Sequence, residues 1–199
     1  MRFIKLFEYF KSKVFQSVEE LENYLRKFSI PISSWGTGKS KELRDLYEEL
    51  VNDECKLIES GESLHRIIEF VGVEVFYKDD EGGIYHLVED RQEFSDGRVR
   101  KRKMLSSVSE KMKFGESPSV AGVRGIKEEL NIVVSASQLS NHRDIQFNGS
   151  SMSYPGLIAK YKGHQFTCYL NKEQFNADGY VEVQKRKKTF FKWIKSETT

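Results

Sequence analysis

Apolar residues change their spacing about a third of the way along this chain. Leu21, Leu25 and Phe28, then Leu43, Leu46, Tyr47, Leu50 and Val51, then Leu57, Ile58 and Ile67 fall at helix-like intervals, which predicts a helical segment over residues 1–66. Beyond it the pattern shortens to strand-like runs at 71–77, 84–88, 156–161 and 165–170, rich in β-branched and aromatic residues. Residues 79–83 are expected to turn the chain between the first pair and residues 162–164 between the last pair. Residues 189–194 close the pattern as a helix or packing segment. The order predicts a helical N-terminal extension, 1–66, followed by an α/β (α+β) domain, 67–199. Short helices bury little by themselves, so the extension is expected to pack on the sheet domain or to mediate oligomerisation.

Between the two pairs of strands lies a segment with a helix signature. Ser117 can cap it, Pro118 fits its first position, and Glu116 sits near the positive helix end. Val120, Val123, Ile126 and Leu130 recur at helical spacing from Pro118 to Leu130 and predict a buried stripe. Arg124, Lys127 and Glu128 fall largely on the other side, and Arg124 and Glu128 form an i,i+4 pair. Glu128 and Glu129 project about 100° apart, so both reach one ion only if it sits beside the helix. Carboxylate oxygens of this kind suit Mg²⁺.

Residues 110–132 resemble a Nudix box with departures. That pattern is Gly, five residues, Glu, seven residues, then Arg-Glu-aliphatic-any-Glu-Glu-any-Gly-aliphatic. Glu116, Arg124, Ile126, Glu128, Glu129 and Ile132 fall on it, behind a Gly115-Glu116-Ser117-Pro118 lead-in. Glu110 replaces the opening Gly, Gly125 the Glu after the Arg, and Asn131 the late Gly. The resemblance implies a Nudix-like α/β/α sandwich with a mixed sheet over about 67–199, and a site for a nucleoside diphosphate derivative. It implies Glu128 and Glu129 as ligands of Mg²⁺ or Mn²⁺, Arg124 as a residue orienting a box carboxylate, and Glu116 as a supporting carboxylate or ligand. Gly125 removes a carboxylate that binds metal or activates water in many members. A pyrophosphohydrolase of weak or residual activity is therefore expected, with a gain on Gly125→Glu if the rest of the site is intact; a catalytically inactive nucleotide-binding or protein-interaction module is the alternative. Glu173 and Glu182 are the candidates for a base supplied from another loop.

Other motifs change the picture less. Gly36-Thr37-Gly38-Lys39-Ser40 resembles the end of a phosphate-binding loop, but Ser33 stands where the opening Gly belongs and Pro31 does not suit a preceding central strand. Ser40 is expected instead to cap the helix through Leu43 to Leu50. The basic runs 98–103 and 185–188 are read as solvated faces in preference to a nucleic-acid surface, with pocket lining for an anionic ligand as a third option. His65, His86, His142 and His164 show no metal-ligand spacing.

Composition adds bounds. The 199 residues carry 32 Lys and Arg against 30 Asp and Glu, a formal charge of +2, with 38% hydrophobic and 13% aromatic residues; this suits a folded domain rather than a disordered chain. Cys55 and Cys168 are too few for a disulfide framework and are expected as buried or half-buried thiols in a reducing compartment. Residues 1–11 interrupt their apolar positions with charges, so no signal-peptide core is expected there. The reading is a cytoplasmic protein.

Overall fold

The computed structural model describes residues 13–196; the reading of residues 1–11 lies outside them. Its elements are α1 (Val18–Lys27), α2 (Leu43–Val51), β1 (Lys56–Ser60), β2 (Ser63–Lys78), β3 (Ile84–Phe94), β4 (Val99–Arg100), β5 (Val108–Lys111), α3 (Pro118–Leu130), β6 (Leu139–Ser150), β7 (Ile158–Leu170), β8 (Tyr180–Gln184) and β9 (Lys187–Lys195). Helices and a nine-stranded sheet thus mix in one chain, as the pattern predicts. The strand order is β6-β7-β2-β3-β9-β8, with β1 and β5 also on β2 and β4 on β3. No helix among the described residues is long and apolar enough to cross a membrane.

The chain divides into two compact units. The first takes the described residues through Glu69 together with Met112–Gly115 and Gln146–Lys162. In it Ser17 caps α1 by accepting from the Glu20 N–H at 3.1 Å. The apolar stripe of that helix, Leu21 and Leu25, is fully buried with Leu46 of α2, Trp35, Leu57, Leu64, Ile68 and Tyr154. Arg66 and Glu49 form a buried ion pair, and Lys41 reaches the same carboxylate at 2.7 Å.

Two expectations change in this unit. Leu57, Ile58 and Ile67 lie in strands, not a helix: β1 pairs antiparallel with β2 from Lys56↔Ile67 to Ser60↔Ser63, around a turn where Gly61 takes φ +61°. Leu57 and Ile58 are adjacent and Ile67 is nine residues on, a spacing that does not separate the two periods. Nor does Ser40 cap α2. Glu42 is its N-cap, in a capping box with Asp45, while the Ser40 hydroxyl donates to the Thr37 carbonyl at 2.7 Å and so closes its own turn. With a 3-10 turn, Ile32–Ser34, in front of it rather than a strand, the glycine-rich segment is a surface connection.

The second unit takes Phe70–Lys111, Glu116–Ile145 and the residues from Gly163 onward. Its core includes Val71, Val73, Val75, Leu87, Val108, Ile126, Phe166 and Phe191, all buried. The turn at 79–83 is as expected, closed by the Asp79 carboxylate accepting from the Gly83 N–H at 2.6 Å. The segment 189–194 is a strand: β9 pairs along β3 from Lys195↔Tyr85 to Lys187↔Phe94. Its alternation, with Thr189 and Phe191 buried, is a two-residue period hidden by the run of aromatics. The expected turn at 162–164 is absent, because β7 runs through it unbroken. Both cysteines are buried and free, as expected.

Candidate functional site

Helix α3 starts and stops as the sequence predicts. Ser117 accepts from the Val120 N–H, Pro118 occupies the first turn, and Asn131 ends the helix at φ +56°. Asn is the non-glycine residue best suited to that left-handed conformation, so replacing the box's late Gly costs little backbone strain.

The buried face differs from the expected stripe. Val120 is 55% exposed and Val123 half-buried, while Ala121, Gly122, Gly125, Ile126 and Leu130 are buried. The helix rests on its small residues. A Cβ at Gly122 would fall 3.1 Å from Leu139 and 3.4 Å from Val73, and one at Gly125 would fall 2.9 Å from the Glu110 Cβ and 3.2 Å from Val108. The stripe is rotated by about one residue, since the close approach to β2 and β5 selects residues without bulk.

Arg124 then gathers carboxylates on the solvent side. Its guanidinium donates to both oxygens of Glu116 at 3.0 Å and to the Lys111 carbonyl at 2.8 Å. It also meets Glu110 at 3.2 Å and Glu128 at 3.2 Å. These partners, Glu116 first, hold the guanidinium charged.

Glu129 faces elsewhere. Half-buried, it accepts from the Ser109 N–H at 3.1 Å. Burial pushes its carboxyl up to about 8, with Glu182 and Glu110 adding in the same direction against the Ser109 hydrogen bond and Lys187. Glu182 accepts from the Thr189 hydroxyl at 3.0 Å and lies 3.8 Å from Lys187. Fully buried Gln92 donates to Thr189 at 3.4 Å and accepts from Arg100 at 3.0 Å. Arg102 forks onto Glu89, whose side chain is 3% exposed, at 2.6–3.0 Å.

The contacts Glu182–Thr189–Gln92–Arg100 and Gln92–Glu89–Arg102 form a polar tract over β3, β8 and β9, and the Glu182 charge acts on Glu129 of α3. Glu89, Gln92 and Thr189 were not singled out by the sequence reading. In strands their polarity has no spacing signature, and only their burial marks them. Two arginines of the run 98–103 reach this tract, while the run 185–188 spans the turn between β8 and β9. Glu173 is exposed, on the segment after β7.

Oxygen donors near Glu129, with like charges from Glu110 and Glu182, are the chemistry a hard divalent cation requires. Glu128 and Glu129 do not start on one point, because Glu128 turns to Arg124 and Glu129 to Ser109. Among the described residues, the group of three with converging donor atoms is His142, Asp144 and His164. The histidines have no ligand spacing along the sequence, yet two of them, 22 residues apart, meet because β6 and β7 are neighbours in the sheet.

No family model matches the sequence, and neither does any curated protein. Among solved structures, the chain is similar to a C. elegans Ap4A hydrolase at 17% identity, over 65% of this chain and 80% of that one, with a TM-score of 0.35. It is similar to a MutT/nudix family protein from Enterococcus faecalis at 13% identity, over 93% of this chain and 58% of that one, with a TM-score of 0.43. A third is the NUDIX domain of Shewanella oneidensis NrtR, solved with ADP ribose, at 12% identity over 74% and 81% of the two chains, with a TM-score of 0.37.

Proposed function

We propose that the protein is a slow, divalent-cation-dependent hydrolase of nucleoside diphosphate derivatives, with Glu128 and Glu129 as the ligands of Mg²⁺ or Mn²⁺. The observation that carries this reading is the charge arrangement around α3. Glu129 lies half-buried in the negative field of Glu110 and Glu182, and Arg100 and Arg102 bond to Gln92 and Glu89 of the polar tract that Glu182 belongs to. Carboxylates suit the cation and arginines suit phosphate oxygens. When bound, such a cation neutralises phosphate charge and acidifies its water. The protein's own part is positioning: Arg124 fixes Glu116 and Glu110, and Glu182 is a carboxylate beside Glu129 able to accept a proton.

Slowness follows from two features. Residue 125 contributes no carboxylate, and Glu128 must leave Arg124 to join Glu129 on one ion. The same features favour a second reading, a pocket that binds the nucleotide without cleaving it. The test is product release from ADP-ribose, dinucleotides and nucleotide-sugars with Mg²⁺ or Mn²⁺, alongside calorimetric binding. Slow turnover abolished by Glu129→Gln supports the hydrolase. Binding without turnover supports the second reading, and neither binding nor turnover ends both.

A further inference from the structure

We infer that His142, Asp144 and His164 form a binding site for a divalent transition-metal ion, of which Zn²⁺ is the reference, separate from the carboxylates around α3. His142 and Asp144 lie two residues apart on β6 and so share a face, and His164 stands on the neighbouring strand β7. Alternation supports the placement from the opposite side. Gly163, one residue before His164, has Ile145 against it, one residue after Asp144.

Three atoms make a small triangle. His142 Nε2 is 3.1 Å from His164 Nδ1, His164 Nδ1 is 2.7 Å from Asp144 Oδ1, and His142 Nε2 is 3.1 Å from the same oxygen. One N–H can point at only one other corner, so hydrogen bonding leaves an edge of the triangle unsatisfied; a cation above its centre serves all three. Metal–ligand bonds of roughly 2.0–2.1 Å put neighbouring ligand atoms about 2.9 Å apart at octahedral angles and about 3.3 Å apart at tetrahedral ones. The observed edges bracket the octahedral separation and would open by a few tenths of an ångström for tetrahedral Zn²⁺. Two imidazoles and one carboxylate on one side of an ion leave its other positions open, and this donor set prefers Zn²⁺, Co²⁺ or Ni²⁺ over Mg²⁺.

The surroundings suit a formed site. The His164 side chain is 7% exposed, which fixes its ring, whereas His142 and Asp144 are 45% and 60% exposed and leave a path for the ion. The His142 ring stacks on Phe166 at 4.7 Å. Arg143, the nearest cation in sequence, turns to Glu74 at 3.5 Å. β6 is the outermost strand in the order, so an ion shared by β6 and β7 would also fasten a sheet edge.

The experiment uses the full chain stripped with chelator, titrated with Zn²⁺ by calorimetry and with Co²⁺ by visible absorption. With excess Mg²⁺ present to occupy the carboxylates around α3, the expected result is one equivalent bound and a Co²⁺ ligand-field spectrum that the Mg²⁺ does not displace. His142→Ala and Asp144→Asn, both at exposed positions, should each weaken binding about a hundredfold or more, while Glu129→Gln leaves it unchanged. Absence of saturable binding by Zn²⁺, Co²⁺ and Ni²⁺ would overturn the inference. So would Zn²⁺ affinity that survives both His142→Ala and Asp144→Asn, or that is lost in Glu129→Gln.

Discussion

The Cβ that Gly125 lacks would fall 2.9 Å from the Cβ of Glu110. These are two of the positions at which residues 110–132 depart from the Nudix pattern, and in this chain they are in steric contact: where the pattern has Gly at the first and Glu at the second, this chain has Glu110 and Gly125. Glu110 therefore carries its carboxylate from β5 to Arg124, across the room that a side chain at 125 would use. The expected gain from Gly125→Glu alone does not fit this geometry. That variant should lose about 1–3 kcal/mol through overpacking and gain no turnover. Glu110→Gly with Gly125→Glu should recover the stability and raise turnover above that of the natural chain. The check is a double-mutant cycle in urea midpoint and product release; additive effects would separate the two positions.

Arg124 offers a second measurable hub. It meets Glu110, Glu116, Glu128 and the Lys111 carbonyl at 2.8–3.2 Å. Arg124→Ala removes the two-pronged hydrogen bond to the Glu116 carboxylate, whose side chain is 12% exposed, and should cost about 1.5–3 kcal/mol. Arg124→Lys keeps the charge but not the fork, so it should recover only part of that loss. Denaturant unfolding of the three proteins decides it. Equal stability of all three would show the hub to be a screened surface cluster.

Glu129 predicts a pH dependence in the chelated, metal-free protein. Its folded carboxyl is raised from 4.5 to about 8 by burial, so between those values the folded state holds a proton that the unfolded state releases. Stability from this group is full below about pH 4.5 and falls as pH rises toward 8 and beyond. Glu129→Gln keeps an oxygen for the Ser109 N–H and removes the titration. It should flatten the alkaline side of the stability profile, with its largest advantage near pH 8–9. Parallel profiles of variant and natural protein would contradict the buried-acid assignment.

How much of this was legible varies with the physics of each element. The span of α3 could be read because Ser117, Pro118 and Asn131 are local signals, whereas its buried face could not, because Gly122 and Gly125 pack through absence of bulk. Hydrophobicity pointed to Val120, which is exposed. The polar tract was half legible: Glu129 lies in the helix segment, Glu182 was a candidate base, and Arg100 and Arg102 lie in the basic run 98–103. Glu89, Gln92 and Thr189 come from strands whose pairing no single sequence displays. His142 and His164 were invisible as a pair for the same reason, since strand neighbourhood, not spacing, joins them.

Gly163 tests the one turn that the structure removes. Glycine between two apolar runs reads as a turn, yet here it lies inside β7 because something else occupies the side-chain position. A Cβ there would fall 2.4 Å from Phe70 Cζ and 2.7 Å from Ile145 Cγ1. A real turn would accept alanine at small cost; a packed strand would not. Gly163→Ala should therefore destabilise by about 1–3 kcal/mol. Gly149 in β6 is the control, since a Cβ there meets nothing within 4 Å, and Gly149→Ala should be neutral or slightly stabilising because alanine loses less backbone freedom than glycine on folding. Urea midpoints at unchanged m-value separate the cases. Equal, small effects at both positions would mean that β7 does not pass against Phe70 and that the turn reading was the better one.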